Sequence, residues 1–243
     1  MTYCVGLKLD RGLVFMSDTR TNAGVDNISR FRKLFTWEKP GERAIVLMTA
    51  GNLATTQSVV SMLEERTKAP SERRPSILEL PTMFQIARHV GETLRDIIQA
   101  NAATGQKADS TFNSTLILGG QIKGIEPRLF LIYPEGNFIE ASADTPFFQI
   151  GETKYGRPIL VRAFDPAMSI EEAVKLLMVS FDSTIKANLS VGLPLDLQVI
   201  DRDTMRLGKT TRIEPDDAYF NQISSGWGDA LKKAFDSLPP FTF

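Results

Sequence analysis

The sequence predicts an α+β fold in which two sheets pack face to face and helices lie outside them. Three observations carry this. Strand-like and helix-like segments come in groups, in the order strands, helices, strands, helix, strands, rather than in strict alternation. Each group of strands has helices enough for only one face, so the sheets must cover each other. The chain has 243 residues, 42% of them hydrophobic and 23% charged, enough for one large core. No repeat, low-complexity tract or clear linker divides it, so residues 1–243 read as one domain.

The elements follow in order. Tyr3, Val5, Leu7 and Leu9 alternate with Cys4, Gly6 and Lys8, the period of a half-buried strand. The turn Asp10-Arg11-Gly12 leads into "LVFMSD", a hairpin signal. After the polar stretch "TRTNAGVDNISR", "KLFTWE" and "AIVLMTAG" read as two more strands joined by "KPGER". These first four strands suggest one antiparallel sheet. A helix begins after Gly51. "SERRPSILELPT" reads as a connection to a second helix, with Phe84, Ala87, Val90, Leu94 and Ile97 on its apolar side. Strands occupy roughly 111–151, with a hairpin turn at Pro134-Glu135-Gly136. Ser169-Ile170-Glu171-Glu172 is a capping box opening another helix. "LDLQVI" and "TMRLGKTTRI" read as late strands, and a short helical pattern precedes the tail.

Composition excludes several function classes. The formal net charge is −1, so no global field draws the chain to nucleic acid or to an anionic membrane. No apolar run approaches the ~20 residues of a membrane-spanning helix. No signal peptide is visible, and a cytoplasmic location is expected. A single cysteine, Cys4, allows no internal disulfide, and with a single histidine, His89, it cannot build a Cys/His zinc site. A hydrolase with this composition and no Gly-x-Ser-x-Gly elbow takes its base from somewhere other than histidine.

The second residue supplies an alternative. Methionine is commonly trimmed before a small residue. Thr2 then carries a free α-amine beside its hydroxyl. That amine has a reference pKa of ~7.7–8.0, so one residue can supply nucleophile and base. Such a site needs a cation to disfavour the protonated amine, and a carboxylate to hold that cation. If the first two strands form a hairpin, Asp18 returns to the end that bears Thr2. Lys33 opens the third strand and can enter from beside it. Gly51, between a strand and a helix, is suited to face an oxyanion with its N–H.

With these residues in place the sequence resembles a proteasome-type β-subunit of the N-terminal-nucleophile hydrolases, and most of all the bacterial Anbu (ancestral β-subunit) group. The resemblance covers most of the chain. It rests on Thr2 before Val5-Gly6, Ser17-Asp18-x-Arg20, Lys33-Leu34-Phe35 and Thr49-Ala50-Gly51. It implies a four-layer αββα sandwich and peptide-bond hydrolysis through an ester on Thr2, with no cofactor or metal. It implies Lys33 as the tuning cation, Asp18 as its partner, Gly51 as oxyanion donor and Thr49 on the wall that receives the substrate side chain. It also implies self-assembly into a ring or an open helical turn, a peptide or unfolded-protein substrate, and an ATP-dependent partner as a candidate feeder. Trp37, Phe147, Phe148, Trp227 and Phe241-Thr242-Phe243 are candidate interface aromatics that serve equally as core.

Three departures from the family pattern stand out. The interval from Thr2 to Lys33 is one residue short, which is read as a deletion within 21–31. Glu152, in "QIGETKYG", stands where a helper serine is often found. In "KANLSVG", Ser190 fits a supporting serine but Ala187 replaces an aspartate. Ser190 and Glu152 are therefore candidate supports, with a solvated loop carboxylate as the ordinary reading of Glu152. Two other functions remain open: hydrolysis of a non-peptide amide by the same chemistry, and a silent shell subunit. Cys4 reads as a small buried strand residue rather than a nucleophile.

Overall fold

The computed structural model describes residues 2–22, 28–68, 75–102 and 112–242. Two five-stranded antiparallel sheets form the centre. The first has the order β10-β1-β2-β11-β12, built from β1 (Tyr3–Leu9), β2 (Gly12–Asp18), β10 (Phe147–Gly151), β11 (Leu195–Asp201) and β12 (Thr210–Ile213). The second has the order β5-β6-β7-β8-β9, built from β5 (Leu34–Lys39), β6 (Arg43–Gly51), β7 (Ser114–Ile122), β8 (Arg128–Ile132) and β9 (Phe138–Glu140). A small ribbon pairs β3 (Arg20–Asn22) with β4 (Ile28–Arg30).

Helices α1 (Leu53–Lys68) and α2 (Met83–Ala102) cover the second sheet. Helices α3 (Arg157–Ala163), α4 (Ile170–Ala187) and α5 (Ala218–Asp236) lie on the first. Three apolar layers hold this four-layer sandwich together. Tyr3, Val5, Leu7, Met16 and Leu197 meet Leu177 and Phe181 of α4. Ile45, Leu47, Leu118 and Phe130 meet Leu63 of α1 and Val90 of α2. Between the sheets, Cys4, Phe15, Met48, Ile117 and Ile150 interlock. Alternating residues of one strand thus serve two different layers, as the two-residue period requires.

Several sequence expectations are corrected. The first four long strands do not share a sheet: β1 and β2 lie in one, β5 and β6 in the other. The ribbon β3–β4, read as polar loop, lets the chain cross between the sheets, and the inferred deletion at 21–31 falls partly outside the described residues. Strand β1 is buried on both faces rather than one, because a helix layer and a second sheet enclose it. On α2, Ala87, Val90 and Leu94 are buried as expected and Met83, Ile86 and Ile98 join them, but Phe84 is 48% exposed. Only Thr210–Ile213 of the last strand segment is extended in the sheet. Helix α3 was not foreseen, and the last helix is long rather than short. The capping box at Ser169 is present, with both hydrogen bonds made.

Candidate active site

The hairpin β1–β2 pairs Cys4 with Ser17, which returns Asp18 to the start of β1. Asp18 is fully buried, and its Oδ1 accepts from two donors. The Tyr3 N–H donates at 3.0 Å and Lys33 Nζ at 2.7 Å. Lys33 arrives from the other sheet, at the start of β5, not from a neighbouring strand as expected. Its ammonium also donates to the Arg20 carbonyl at 2.6 Å. Its own carbonyl accepts from the Thr49 N–H at 2.9 Å. Burial pushes the Asp18 carboxyl above the usual carboxylate range, against the pull of Lys33, the Tyr3 amide and, more weakly, the Gly192 amide.

Thr2 is half-buried at the mouth of this arrangement. Its carbonyl accepts from the Glu152 N–H at 2.6 Å, which extends the pairing of β1 with β10. Gly151 has φ +84°, and a Cβ there would stand 1.9 Å from the Thr2 carbonyl oxygen. Only glycine lets β10 approach so closely. Met1 lies outside the described residues.

The next residue is an anchor. Tyr3 is fully buried, with its ring centroid 4.5 Å from that of Phe181. Its phenol oxygen meets Ser180 Oγ at 2.7 Å and accepts from Gln149 Nε2 at 2.6 Å. Burial pushes this phenol up to about 12, although the Ser180 and Gln149 hydrogen bonds oppose it. The native value thus lies above that of the unfolded chain, ~10. The associated stability is complete below ~10 and is lost as pH rises through about 12, at about 1.4 kcal/mol per pH unit. Tyr3→Phe is expected to lose about 1 kcal/mol at neutral pH. It should also lack roughly 2–3 kcal/mol of the alkaline loss seen in the wild type. Urea unfolding at a series of alkaline pH values checks this, and parallel slopes for both proteins would refute it.

Gly51 ends β6, exposed, with φ +118°. A Cβ there would stand 2.4 Å from the Asn113 carbonyl oxygen, so glycine is required. Thr49 joins the cluster through its backbone. Its side chain is 3% exposed and, by alternation, lies on the face of Ile45 and Leu47. Cys4 is buried, and its thiol points to the Thr49 carbonyl at 3.7 Å. Burial raises that thiol far above its ordinary range, so it stays protonated, in keeping with a packing residue.

Glu152 is not a solvated loop carboxylate: it is 9% exposed. Its Oε2 accepts from Asn188 Nδ2 at 2.9 Å. Asn188 Oδ1 accepts from the N–H of Ser190 at 3.0 Å and from its hydroxyl at 2.5 Å. Both candidate supports therefore meet through Asn188, which sequence reasoning missed. An asparagine just past the last periodic residue of a helix is a known stop signal. Asn188 caps α4 in that way, directly after Ala187.

Hydrogen bonds thus link Thr2 to Glu152, and the adjacent Tyr3 to Asp18 and through it to Lys33. The proteasome subunit family model matches residues 2–200. The chain belongs to that family. It is similar over 99% of its length to Anbu (ancestral beta-subunit) from Yersinia bercovieri, at 46% identity, with 100% of that chain covered and a TM-score of 0.92. A second solved structure, the helical assembly of the Anbu complex from Pseudomonas aeruginosa, is also 46% identical. It covers 99% of this chain and 98% of its own, with a TM-score of 0.92. A more distant relative is the proteasome subunit beta of Haloferax volcanii, 23% identical over 88% of this chain and 79% of its own. Among the described residues no helix is long and apolar enough to cross a membrane, and no His/Cys/Asp/Glu group could hold a metal ion.

Proposed function

We propose that this chain is a threonine peptidase of the cytoplasm, one domain over 1–243, that cleaves peptide bonds of unfolded or peptide substrates inside a self-assembled particle. One observation carries the reading: the Tyr3 amide and the Lys33 ammonium share a single Asp18 oxygen. That shared oxygen fixes the backbone next to Thr2 against a buried cation from the opposite sheet. Once Met1 is gone, the Thr2 hydroxyl passes its proton to its own α-amine, and the oxygen forms a bond to the scissile carbonyl carbon. The carbonyl oxygen takes up the electron pair and faces the Gly51 N–H. Collapse breaks the C–N bond, and the leaving amine takes the proton from the α-ammonium. Water then cleaves the ester and restores Thr2. The positive charge of Lys33 favours the neutral, proton-accepting form of the amine.

Self-assembly is supported by α5. This 19-residue helix buries only Phe220, whereas Leu231, Phe235 and Leu238 beyond it are exposed. An isolated helix of that length is marginal in water, so its apolar stripe requires a second surface. The helical assembly described for the Pseudomonas aeruginosa relative makes another copy the expected cover.

The test is one preparation of the full chain. Intact mass is expected to show loss of Met1, and light scattering a particle well above one chain. Peptide hydrolysis should fall to background in Thr2→Ala, while the particle persists. Hydrolysis confined to non-peptide amides, or unchanged in Thr2→Ala, would overturn the peptidase reading.

A further inference from the structure

The carboxylate of Glu152 takes no part in the chemistry above, yet its surroundings are built for a charge. It follows Gly151, the partner of Tyr3, so it stands opposite Thr2 on the next rung of the β1–β10 ladder. It is buried, and its side-chain hydrogen bonds come from neutral donors. These are Asn188 Nδ2 at 2.9 Å and, at the long limit, the Lys154 N–H at 3.5 Å. None of the ion pairs found among the described residues includes it. A buried carboxylate without a cation is costly. Removal of Met1 would create a cation, the α-ammonium of Thr2, across the same rung.

We propose that Glu152 is the counter-ion of the Thr2 α-ammonium and that Asn188 is its positioning residue. This rests on the peptidase reading. Asn188 suits the task because both ends of its amide are committed. Nδ2 holds Glu152, while Oδ1 is occupied by the N–H and hydroxyl of Ser190. Its backbone N–H closes on the Thr184 carbonyl at the end of α4. The rotamer is thereby fixed from the helix layer. The role has a direction. Lys33 makes the amine a poorer proton acceptor, and Glu152 stabilises the ammonium once the hydroxyl proton has been accepted. The balance sets the working pH. Other charged groups around the amine are Asp18 on β2, Lys33 before β5, Arg20 on β3 and Lys154 after β10. Asp18 and Lys33 hold each other, and the Arg20 guanidinium is turned to the Leu189 carbonyl. All four are unchanged when Glu152 is replaced, so a difference between variants isolates its charge.

The experiment uses Met1-free full-length protein and a peptide α′,β′-epoxyketone, a reagent that closes a ring on the hydroxyl and amine of an N-terminal threonine. Adduct formation is followed by intact mass across a pH series. Glu152→Gln keeps the side-chain size and removes the charge. The midpoint of its acid limb is expected to move down by about one pH unit, with a plateau rate about tenfold lower. Asn188→Ala should move the limb the same way by less, and it decides the matter should Glu152→Gln not fold. A lower plateau with an unmoved midpoint in the folded variants would leave Glu152 a structural role only and overturn the counter-ion. A wild-type protein that lacks Met1 yet forms no adduct at any pH would overturn the peptidase reading itself, a result distinct from adduct formation without a shift.

Discussion

Lys33→Ala is expected to cost peptidase activity on the order of 10³-fold and about 3–5 kcal/mol of stability. Both losses have the same origin. Lys33 and Asp18 are 2.7 Å apart, with side chains 5% and 0% exposed. Removing the ammonium leaves a fully buried carboxylate with only the Tyr3 amide at hydrogen-bond distance on its paired oxygen. It also frees the Arg20 carbonyl, the other group that Lys33 holds. The two losses separate in a double replacement. Lys33→Met with Asp18→Leu removes both charges and restores apolar packing, so stability should return to within about 2 kcal/mol of the wild type. Activity should not return, because the amine of Thr2 then lacks its cation. Urea unfolding and peptide turnover on the three proteins check this. A double variant that is stable and active would show that the pair is structural only.

Gly151→Ala is expected to be nearly as damaging, through backbone alone. The added Cβ would lie 1.9 Å from the Thr2 carbonyl oxygen and 2.6 Å from its carbon, at φ +84°. No flexible side chain can yield there. Strand β10 must separate from Thr2 or Thr2 must move, and the Glu152 N–H loses its acceptor. A stability loss on the order of 3 kcal/mol is expected. If Thr2 is the nucleophile as proposed, a displacement of about 1 Å there costs roughly 10²-fold in rate. Gly124→Ala is the control: it has a similar φ of +81°, but nothing lies within 4 Å of the added atom. It carries the strain without the clash. Equal effects for the two variants would show that the close approach of β10 does not matter.

Much of this was legible in the sequence because the signals were local. The capping box at Ser169, the turn at Gly136 and the alternation of β1 each depend on residues a few positions apart. The pairing of Asp18 with Lys33 was also legible, since the β1–β2 hairpin fixes one partner and the start of β5 the other. The assignment of strands to sheets was not. The chain changes sheets between Asp18 and Leu34, and the polar segment that carries the crossing has no periodic signal. The two-sided burial of β1 escaped for a related reason: Cys4 and Gly6 look like the weak face of an amphipathic strand, but a small side chain is what a second sheet requires there. Helix α3 is a single short element with Pro158 in its first turn, and such a segment reads as a turn. Glu152 looked solvated because a charged residue after glycine usually is. Its burial depends on Asn188, a residue distant in sequence, and no local pattern could supply that.

The place of β1 in its sheet also governs when the site can exist. Its neighbours are β2 on one side and β10 on the other. During synthesis β2 emerges almost at once, whereas Phe147–Gly151 follows only after more than half of the chain has been made. At roughly 5–20 residues per second, that interval is on the order of ten seconds or more. For all of it β1 has an open flank and Thr2 has no rung opposite it. Strand β1 is thus made well before β10, which pairs with it, so the proposed site at Thr2 takes shape only late in synthesis.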